Sequence, residues 1–248
     1  TYLENEYAHK KFEEAKTIEE KQILFRSLCN IRAPLPVSTE FLKVQDEFLK
    51  NWNGERLSVS IKDLEPVQHQ LYIWQGDITR LSTDSIVNAA NSELLGCLLA
   101  NHHCIDNIIH TRAGVQLRLD CHDMMENQGR KEAAGKAKIT KAYNLPSRYI
   151  IHTVGPFIDK RGVSPLKERL LASCYRSSLA IADEYELSSI AFCCISTGEF
   201  NFPNKLAAEI AVQTVKDYLS QTQSKIQVVF NVFKDEDLKI YESLLNEE

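Results

Sequence analysis

Residues 76–104 read GDITRLSTDSIVNAANSELLGCLLANHHC. The first part predicts the edge of a strand, at 76–79, followed by an apolar run that continues into a polar loop suited to a nucleotide. The last part places Cys97, His102 and Cys104 on one short loop, and thiols and imidazoles are ligands for transition metals. A nucleotide pocket beside a metal predicts an enzyme rather than a simple binding module.

The whole chain has a composition that is ordinary for a globular protein. Of its 248 residues, 44% are hydrophobic and 25% are charged, which favours one large domain or a domain with an appendage. The net charge of −5 provides no global positive field, so we expect no nucleic-acid partner. Without an apolar run of about 20 residues we expect no membrane partner. Nothing in the pattern requires assembly, and we expect a monomer.

The cysteine usage favours a reducing, cytoplasmic location. The count of seven is odd, and Cys193 and Cys194 lie inside an apolar run, as free buried thiols usually do. We therefore assign four cysteines to packing: Cys29, Cys174, Cys193 and Cys194.

The chain divides into two predicted regions. Residues 1–65 are charged and helix-favouring, with one predicted helix over 7–28 and a second over 39–52 that Ser38 caps, separated by a proline-containing break. We interpret them as a helical extension packed on a main domain at 66–248. Its expected role is to cover apolar surface, and the alternative is that it shapes a rim of the pocket.

From about residue 70 onward, apolar β-branched runs alternate with amphipathic segments. Strands are predicted at 71–74, 85–88, 137–143, 149–154, 189–195 and 226–232, and helices at 105–125, 165–185, 205–220 and 236–245. The run at 190–195 is apolar throughout, which is typical of a strand covered on both faces. The predicted fold class is therefore α/β, a three-layer α/β/α arrangement.

Two loops at predicted strand ends contain candidate nucleotide-binding groups. Residues 196–203 form a short glycine-containing turn before a helix, where free N–H groups and the helix dipole suit a diphosphate. Many strand-to-helix turns share this pattern, so alone it is a weak signal. Asn88 and Asn91 are separated by small residues, and their amides could hold ribose hydroxyls or simply cap a turn.

The loop at 96–104 is interpreted as a metal site from its ligand types. Two thiolates and one imidazole suit zinc rather than magnesium or calcium, and three ligands with an open position are typical of catalytic zinc. Spacing alone does not decide whether His102 or the adjacent His103 is the third ligand. The alternative to a metal site is that these cysteines and histidines occur together in the loop by chance. Three other histidines take ordinary helix or strand positions and are expected to be structural: His110, His122 and His152.

Four motifs in order closely resemble the macrodomain family. They are GDIT at 76–79, VNAAN at 87–91, IDNIIHTRAG at 105–114 and ISTG at 195–198. The likeness covers about residues 70–247 and implies a mixed central sheet. The glycine-rich segment that usually precedes the loop aspartate is replaced by residues 96–104. That replacement and the helical extension resemble the zinc-dependent branch, whose members remove ADP-ribose from modified proteins.

The resemblance implies nucleotide contacts at individual positions. Asp77, with the Ile78 backbone beside it, is expected to bind the adenine amino group. Asn88 and Asn91 are expected to line the distal ribose. The expected diphosphate loop consists of Ser196, Thr197, Gly198, Glu199, Phe200, Asn201 and Phe202. Phe202 is also expected near the distal ribose, and Asn201 departs from the glycine that many members have.

The resemblance further implies zinc ligands at Cys97, His102 and Cys104, and the predicted catalytic residues are Asp106 and Asn91. Zinc would bind a water or a ribose hydroxyl, while Asp106 would orient that water, accept its proton, or cap the helix. The predicted function is a zinc-dependent hydrolase that removes mono-ADP-ribose from Asp or Glu side chains, with ADP-ribosylated protein as substrate partner and ADP-ribose as product. The alternatives are an ADP-ribose reader, a hydrolase of free derivatives such as O-acetyl-ADP-ribose, and a zinc that only stiffens the loop.

Overall fold

The alternating runs of the sequence form alternating strands and helices in the computed structural model, which describes Leu3 and residues 15–246. The strands are β1 Val59–Ser60, β2 Pro66–Gln68, β3 Leu71–Gln75, β4 Leu81–Ser82, β5 Ser85–Ala89, β6 Ala137–Lys141, β7 Tyr149–Thr153, β8 Ser189–Phe192 and β9 Gln227–Val232. The helices are α1 Ile18–Ile31, α2 Thr39–Gly54, α3 Ile105–Ala113, α4 Val115–Gln128, α5 Pro165–Glu184, α6 Asn204–Thr222 and α7 Asp235–Asn246, with 3-10 turns at Ile61–Asp63 and Ile78–Arg80.

Within the described residues, the main sheet has seven strands in the order β2-β3-β9-β8-β5-β7-β6. The five central strands are parallel, and the two edge strands pair antiparallel. All four residues of β8 are buried, because both faces of the sheet are covered by helices. The predicted three-layer α/β/α fold with a mixed sheet is confirmed.

Several predicted boundaries were wrong. The helix predicted at 105–125 is two helices, because Gly114 has φ +105° and turns the chain between α3 and α4. A Cβ at Gly114 would lie 2.7 Å from Nε2 of Gln45. The strand predicted to reach residue 195 ends at Phe192, since Cys194 O instead accepts the Thr197 N–H that closes the following turn. The short edge strand β2 was not predicted.

The first predicted helix also differs from the observed one. Residues 7–14 of that prediction lie outside the described residues. Helix α1 starts only after Thr17, because Thr17 and Glu20 form a reciprocal capping box. The predicted cap of α2 is confirmed, since the Ser38 side chain accepts the Phe41 N–H.

An apolar cluster joins α1 and α2 to the main domain. Its buried members are Leu3, Leu28, Cys29 and Val115. Val115 belongs to α4, so the extension shares a small core with the domain that it covers. The division at residue 65 stays a prediction, and strands β1 and β4 pair across it.

Polar contacts at this junction satisfy buried backbone groups. Gln45 of α2 is 2% exposed, and its Oε1 accepts the Val115 N–H at 3.0 Å. Asn53 donates to the carbonyl of Asn144 at 2.7 Å. The guanidinium of Arg112 lies 3.6 Å from the ring centroid of Trp52. The extension is therefore held by directional contacts as well as by apolar packing.

All seven cysteines are free. Three of the four assigned to packing are buried, and Cys194 is half-buried. In the part of the chain that the structure describes, no helix has the length and apolar character to cross a membrane.

Replacement of Gln45 by alanine is expected to lower the free energy of unfolding by about 1–3 kcal/mol, because the buried Val115 N–H would lose its acceptor. Urea unfolding measures the change. The matched control is Gln213→Ala on the exposed face of α6, which should change stability by less than about 0.5 kcal/mol. Equal effects of the two variants would contradict a structural role for the junction.

Candidate functional site

Parallel strand pairing brings the predicted site loops to one edge of the sheet. Strand β5 lies between β7 and β8 and runs parallel to both, so the loops that follow these three strands leave from the same edge. Strand β3 runs parallel to β9, which pairs with β8. The residues that follow β3, β5, β7 and β8 therefore surround one region.

Asp106 is the buried carboxylate at the centre of this region. It lies in the first turn of α3 and is 5% exposed. Its Oδ1 accepts from Asn88 Nδ2 at 2.8 Å, and its Oδ2 accepts from Asn91 Nδ2 at 3.3 Å. Burial raises the pKa of Asp106 to about 6, and the Asn88 hydrogen bond opposes that rise. Asp106 does not cap the helix, because the N-cap residue is Cys104.

The two asparagines differ in their exposure. Asn88 is fully buried, and its Nδ2 also lies 3.2 Å from Nδ1 of His152. Asn91 is half-buried and also donates to the carbonyl of Gly96 at 3.0 Å, while its Oδ1 accepts the Glu93 N–H. Asn91 thus connects Asp106 to the loop at 96–104 and caps its own turn. Contact of either amide with a ribose stays a prediction.

The three predicted metal ligands lie together. The donor atoms of Cys97, His102 and Cys104 are within 4.8 Å of one another, and all three residues are half-buried. The Sγ of Cys97 is 3.4 Å from Nδ1 of His102. His103 is exposed and does not belong to this group, so the fold places His102, and not His103, beside the two cysteines.

This donor set fits a zinc ion. Two thiols and one imidazole nitrogen on a half-exposed loop match the three protein ligands of zinc sites that keep an open position. Burial raises the pKa of the Cys104 thiol to about 12, and a bound cation would oppose that rise by stabilising the thiolate.

The cluster also contacts the loop after β8. Nε2 of His102 lies 3.6 Å from Oε1 of Glu199, so Nδ1 faces Cys97 while the other ring nitrogen faces a carboxylate. Carboxylates in this position commonly orient metal-binding imidazoles. The predicted metal loop and the predicted diphosphate loop therefore meet at His102.

The loop at 196–202 presents free backbone donors before helix α6. Among the described residues, the N–H groups of Gly198, Glu199 and Phe200 have no hydrogen-bond acceptor. Consecutive free N–H groups near a helix N-terminus suit a phosphate. Asn201 adopts φ +55°, a left-handed conformation that asparagine tolerates. This left-handed conformation accommodates asparagine at a position where the resemblance led us to expect glycine.

The base of the same loop is tightly packed. Phe202 is 1% exposed and lies in the main core, and its N–H donates to the carbonyl of Ser196. Its expected place near a ribose stays a prediction. Gly155, after β7, packs against Ser196, since a Cβ there would lie 2.0 Å from the Ser196 Oγ. Sequence reasoning missed Gly155, although a glycine directly after a predicted strand was a usable signal.

Asp77 is also engaged within the chain. Its Oδ1 accepts from the N–H and hydroxyl of Thr79 at 3.0 and 2.7 Å, and its Oδ2 pairs with Arg56. Arg56 follows α2, so the extension reaches the residue expected to bind adenine. Ile78 is 3% exposed. No sequence signal connected Arg56 to Asp77, because 21 positions separate them.

A second group, His110, Cys121 and His152, is buried. His152 Nε2 lies 2.9 Å from the hydroxyl of Thr140, and burial lowers the pKa of His152 to about 3. The expected structural role of His152 agrees with these contacts. His110 differs, because neither ring nitrogen has a hydrogen-bond partner in the described part of the chain.

The comparisons with known proteins agree with this geometry. A family model described as Macro domain matches residues 87–211, about half of the chain. The chain belongs to the macrodomain family. It is similar to the Protein-ADP-ribose hydrolase of Staphylococcus aureus (strain MSSA476), with 56% identity over 224 residues that cover 90% of this chain and 84% of that protein.

Two solved macrodomains share the fold. A mutant of the Oceanobacillus iheyensis macrodomain with ADPR has a TM-score of 0.66 and 39% identity, covering 73% of this chain and 95% of that one. The Trypanosoma brucei macrodomain in complex with ADP-ribose has a TM-score of 0.69 and 27% identity, covering 94% of this chain and 97% of that one. This macrodomain therefore resembles relatives whose solved structures hold the predicted nucleotide.

Because His152 is buried with a lowered pKa, we expect the free energy of unfolding to decrease in acid. Its folded pKa of about 3 lies below the ordinary 6.5, so between these values the unfolded chain binds a proton that the folded chain does not. The free energy of unfolding should therefore fall as the pH falls, by up to about 1.4 kcal/mol per pH unit from this residue. Urea unfolding of the chain and of His152→Gln from about pH 6.5 to about pH 4.5 measures the slope. The variant should show the shallower slope, and equal slopes would contradict a neutral buried His152.

Proposed function

We propose that this macrodomain is a hydrolase that removes mono-ADP-ribose from modified protein side chains, with a zinc ion held by Cys97, His102 and Cys104. Relatives 48% and 56% identical over 92% and 90% of the chain are named Protein-ADP-ribose hydrolase. The observation that carries the proposal is the adjacency of two groups. The buried carboxylate of Asp106 lies two residues after Cys104 and shares Asn91 with the same loop.

The surrounding loops suit the parts of ADP-ribose. The free N–H groups at 198–200 would hold the diphosphate, and the edge at Asp77 would take the adenine end. The distal ribose would then lie beside Asn91 and the metal loop, because Asn91 contacts Gly96 at the start of that loop and His102 contacts Glu199 of the loop that would hold the diphosphate. A net charge of −5 makes such local capture of phosphate necessary.

Asp106 has the position and contacts of a proton acceptor. Two amide donors hold the two oxygens of its carboxylate, and burial raises its pKa. In the proposed reaction a water oxygen bonds to C1 of the distal ribose and the bond from C1 to the side-chain oxygen breaks. The leaving Asp or Glu carboxylate takes the electron pair, and Asp106 accepts a proton from the water. Zinc, when bound, supplies a positive charge that activates a water or a ribose hydroxyl.

Loss of one thiol ligand should slow the release of ADP-ribose from modified protein while leaving the affinity for ADP-ribose nearly unchanged. Cys104→Ala is expected to lose bound zinc and to slow release of ADP-ribose from Asp- or Glu-modified protein by at least about 100-fold, because a metal contributes several kcal/mol to such steps. Metal content is measured by elemental analysis, release by chromatography, and ADP-ribose affinity by calorimetry. The affinity should change little.

The matched control for that experiment is Cys174→Ala in α5, which should keep both zinc and turnover. Full turnover of Cys104→Ala without metal would overturn the zinc mechanism. If the unsubstituted chain held zinc and bound ADP-ribose but released none from modified protein, it would be an ADP-ribose reader and not a hydrolase.

Gly155→Ala is expected to weaken ADP-ribose binding by about tenfold or more. The new Cβ would lie 2.0 Å from the Ser196 Oγ and 2.9 Å from the Ile195 Cγ2, and overpacking of this kind typically costs about 1–3 kcal/mol. Calorimetric titration with ADP-ribose measures the change. Gly54→Ala is the control, since nothing lies within 4 Å of a Cβ there. Unchanged affinity in Gly155→Ala would show that the loop at 196–202 does not hold the nucleotide.

A further inference from the structure

The metal loop at 96–104 has little regular structure of its own. Within it, His102 N–H donates to the carbonyl of Leu99 and Cys104 N–H donates to the carbonyl of His102. Such short turns leave a loop with many accessible conformations. A binding site with three ligands requires those ligands to be held near one geometry.

Helix α1 of the extension supplies the missing constraints. Nη2 of Arg26 donates to the carbonyl of His102 at 2.8 Å. Oδ1 of Asn30 accepts the N–H of Asn101 at 3.0 Å. The Asn101 N–H and the His102 carbonyl belong to peptide units on either side of the 101–102 unit, and each is fixed by a side chain from α1.

Arg26 acts on the loop by a second route. Its Nε donates to Oδ1 of Asn107 at 3.0 Å, and Asn107 is fully buried at the start of α3. Because that oxygen faces Arg26, the amide nitrogen of Asn107 is directed toward the loop, where it donates to the carbonyl of Leu99 at 2.9 Å. One guanidinium thus sets both ends of the turn between Leu99 and His102.

Asn30 is itself held rigidly. It is 1% exposed, and its Nδ2 donates to the hydroxyl of Thr111 on α3 at 3.0 Å. The constraints on the loop are therefore anchored in two packed helices, and not in flexible surface groups.

We propose that Arg26 and Asn30 are positioning residues for the metal ligands, so that the helical extension is a working part of the zinc site. The family model begins only at residue 87, so these residues lie outside it. The inference rests on the proposed zinc, because it states which residues hold the ligands in place to receive that ion. It makes α1 more than a cover for apolar surface.

The test measures metal binding in Arg26→Gln, Arg26→Lys and the unsubstituted chain. The zinc dissociation constant is obtained by competition with a chromophoric chelator, and the visible spectrum of the cobalt(II) form reports ligand geometry. Arg26→Gln should bind zinc about 10-fold to 100-fold more weakly and show an altered cobalt spectrum. The zinc dissociation constant of Arg26→Lys should lie between those of Arg26→Gln and the unsubstituted chain. An ammonium keeps the positive charge but cannot reproduce the planar pair of hydrogen bonds that the guanidinium makes. ADP-ribose affinity should stay within about twofold.

Lys21→Gln, an exposed cation on the same helix, is the matched control and should bind both ions as the unsubstituted chain does. Wild-type zinc affinity and cobalt spectrum in Arg26→Gln would overturn the positioning role while leaving the proposed zinc site intact. If the unsubstituted chain bound neither ion, the zinc proposal and this inference would both fall. If Arg26→Gln does not fold, Arg26→Lys is compared with Lys21→Gln instead. Equal zinc affinities and cobalt spectra in these two variants would overturn the positioning role.

Discussion

The parallel pairing of β5 with its two neighbours is the constraint on which the site depends. Strands that run parallel leave the sheet at the same edge, so every loop that follows them is brought to one place. Here β5 ends before Asn91, β7 before Gly155 and β8 before the loop at 196–202. A strand reversed in that sheet would send its loop to the opposite edge.

Burial gives the groups at this edge their chemical character. Asp106 is removed from water, which raises its pKa, yet two amides satisfy its oxygens and fix its direction. Its environment thus opposes ionisation and also prevents the carboxylate from turning away. The thiol of Cys104 experiences the same burial. A divalent cation at this point would offset the unfavourable environment of the Cys104 thiolate, which gives a physical reason for the metal that we propose in this loop.

The helical extension reaches two separate parts of the site. Arg26 donates to the carbonyl of His102 in the proposed metal loop, and Arg56 pairs with Asp77 at the expected adenine end. Both arginines are partly buried. Their guanidinium groups donate hydrogen bonds to a carbonyl and a carboxylate that would otherwise be hydrogen-bonded to water. The small shared core around Val115 and the acceptor that Gln45 provides hold the extension in register with the domain. Both the loop at 96–104 and Asp77 thereby depend on residues far away in the chain.

The sequence by itself determined the α/β class and the three-layer arrangement, and it predicted the loops of the candidate site, because apolar periodicity and motif order are local properties. It also grouped Cys97, His102 and Cys104 as candidate ligands, although only the resemblance favoured His102 over His103. The tertiary structure decided the rest. It left the exposed His103 outside the group of candidate ligands, divided one predicted helix at Gly114, and brought Arg26, Arg56 and Gly155 to loops distant in sequence. Such contacts depend on how helices pack and where strands end, and no pattern within a single segment encodes them.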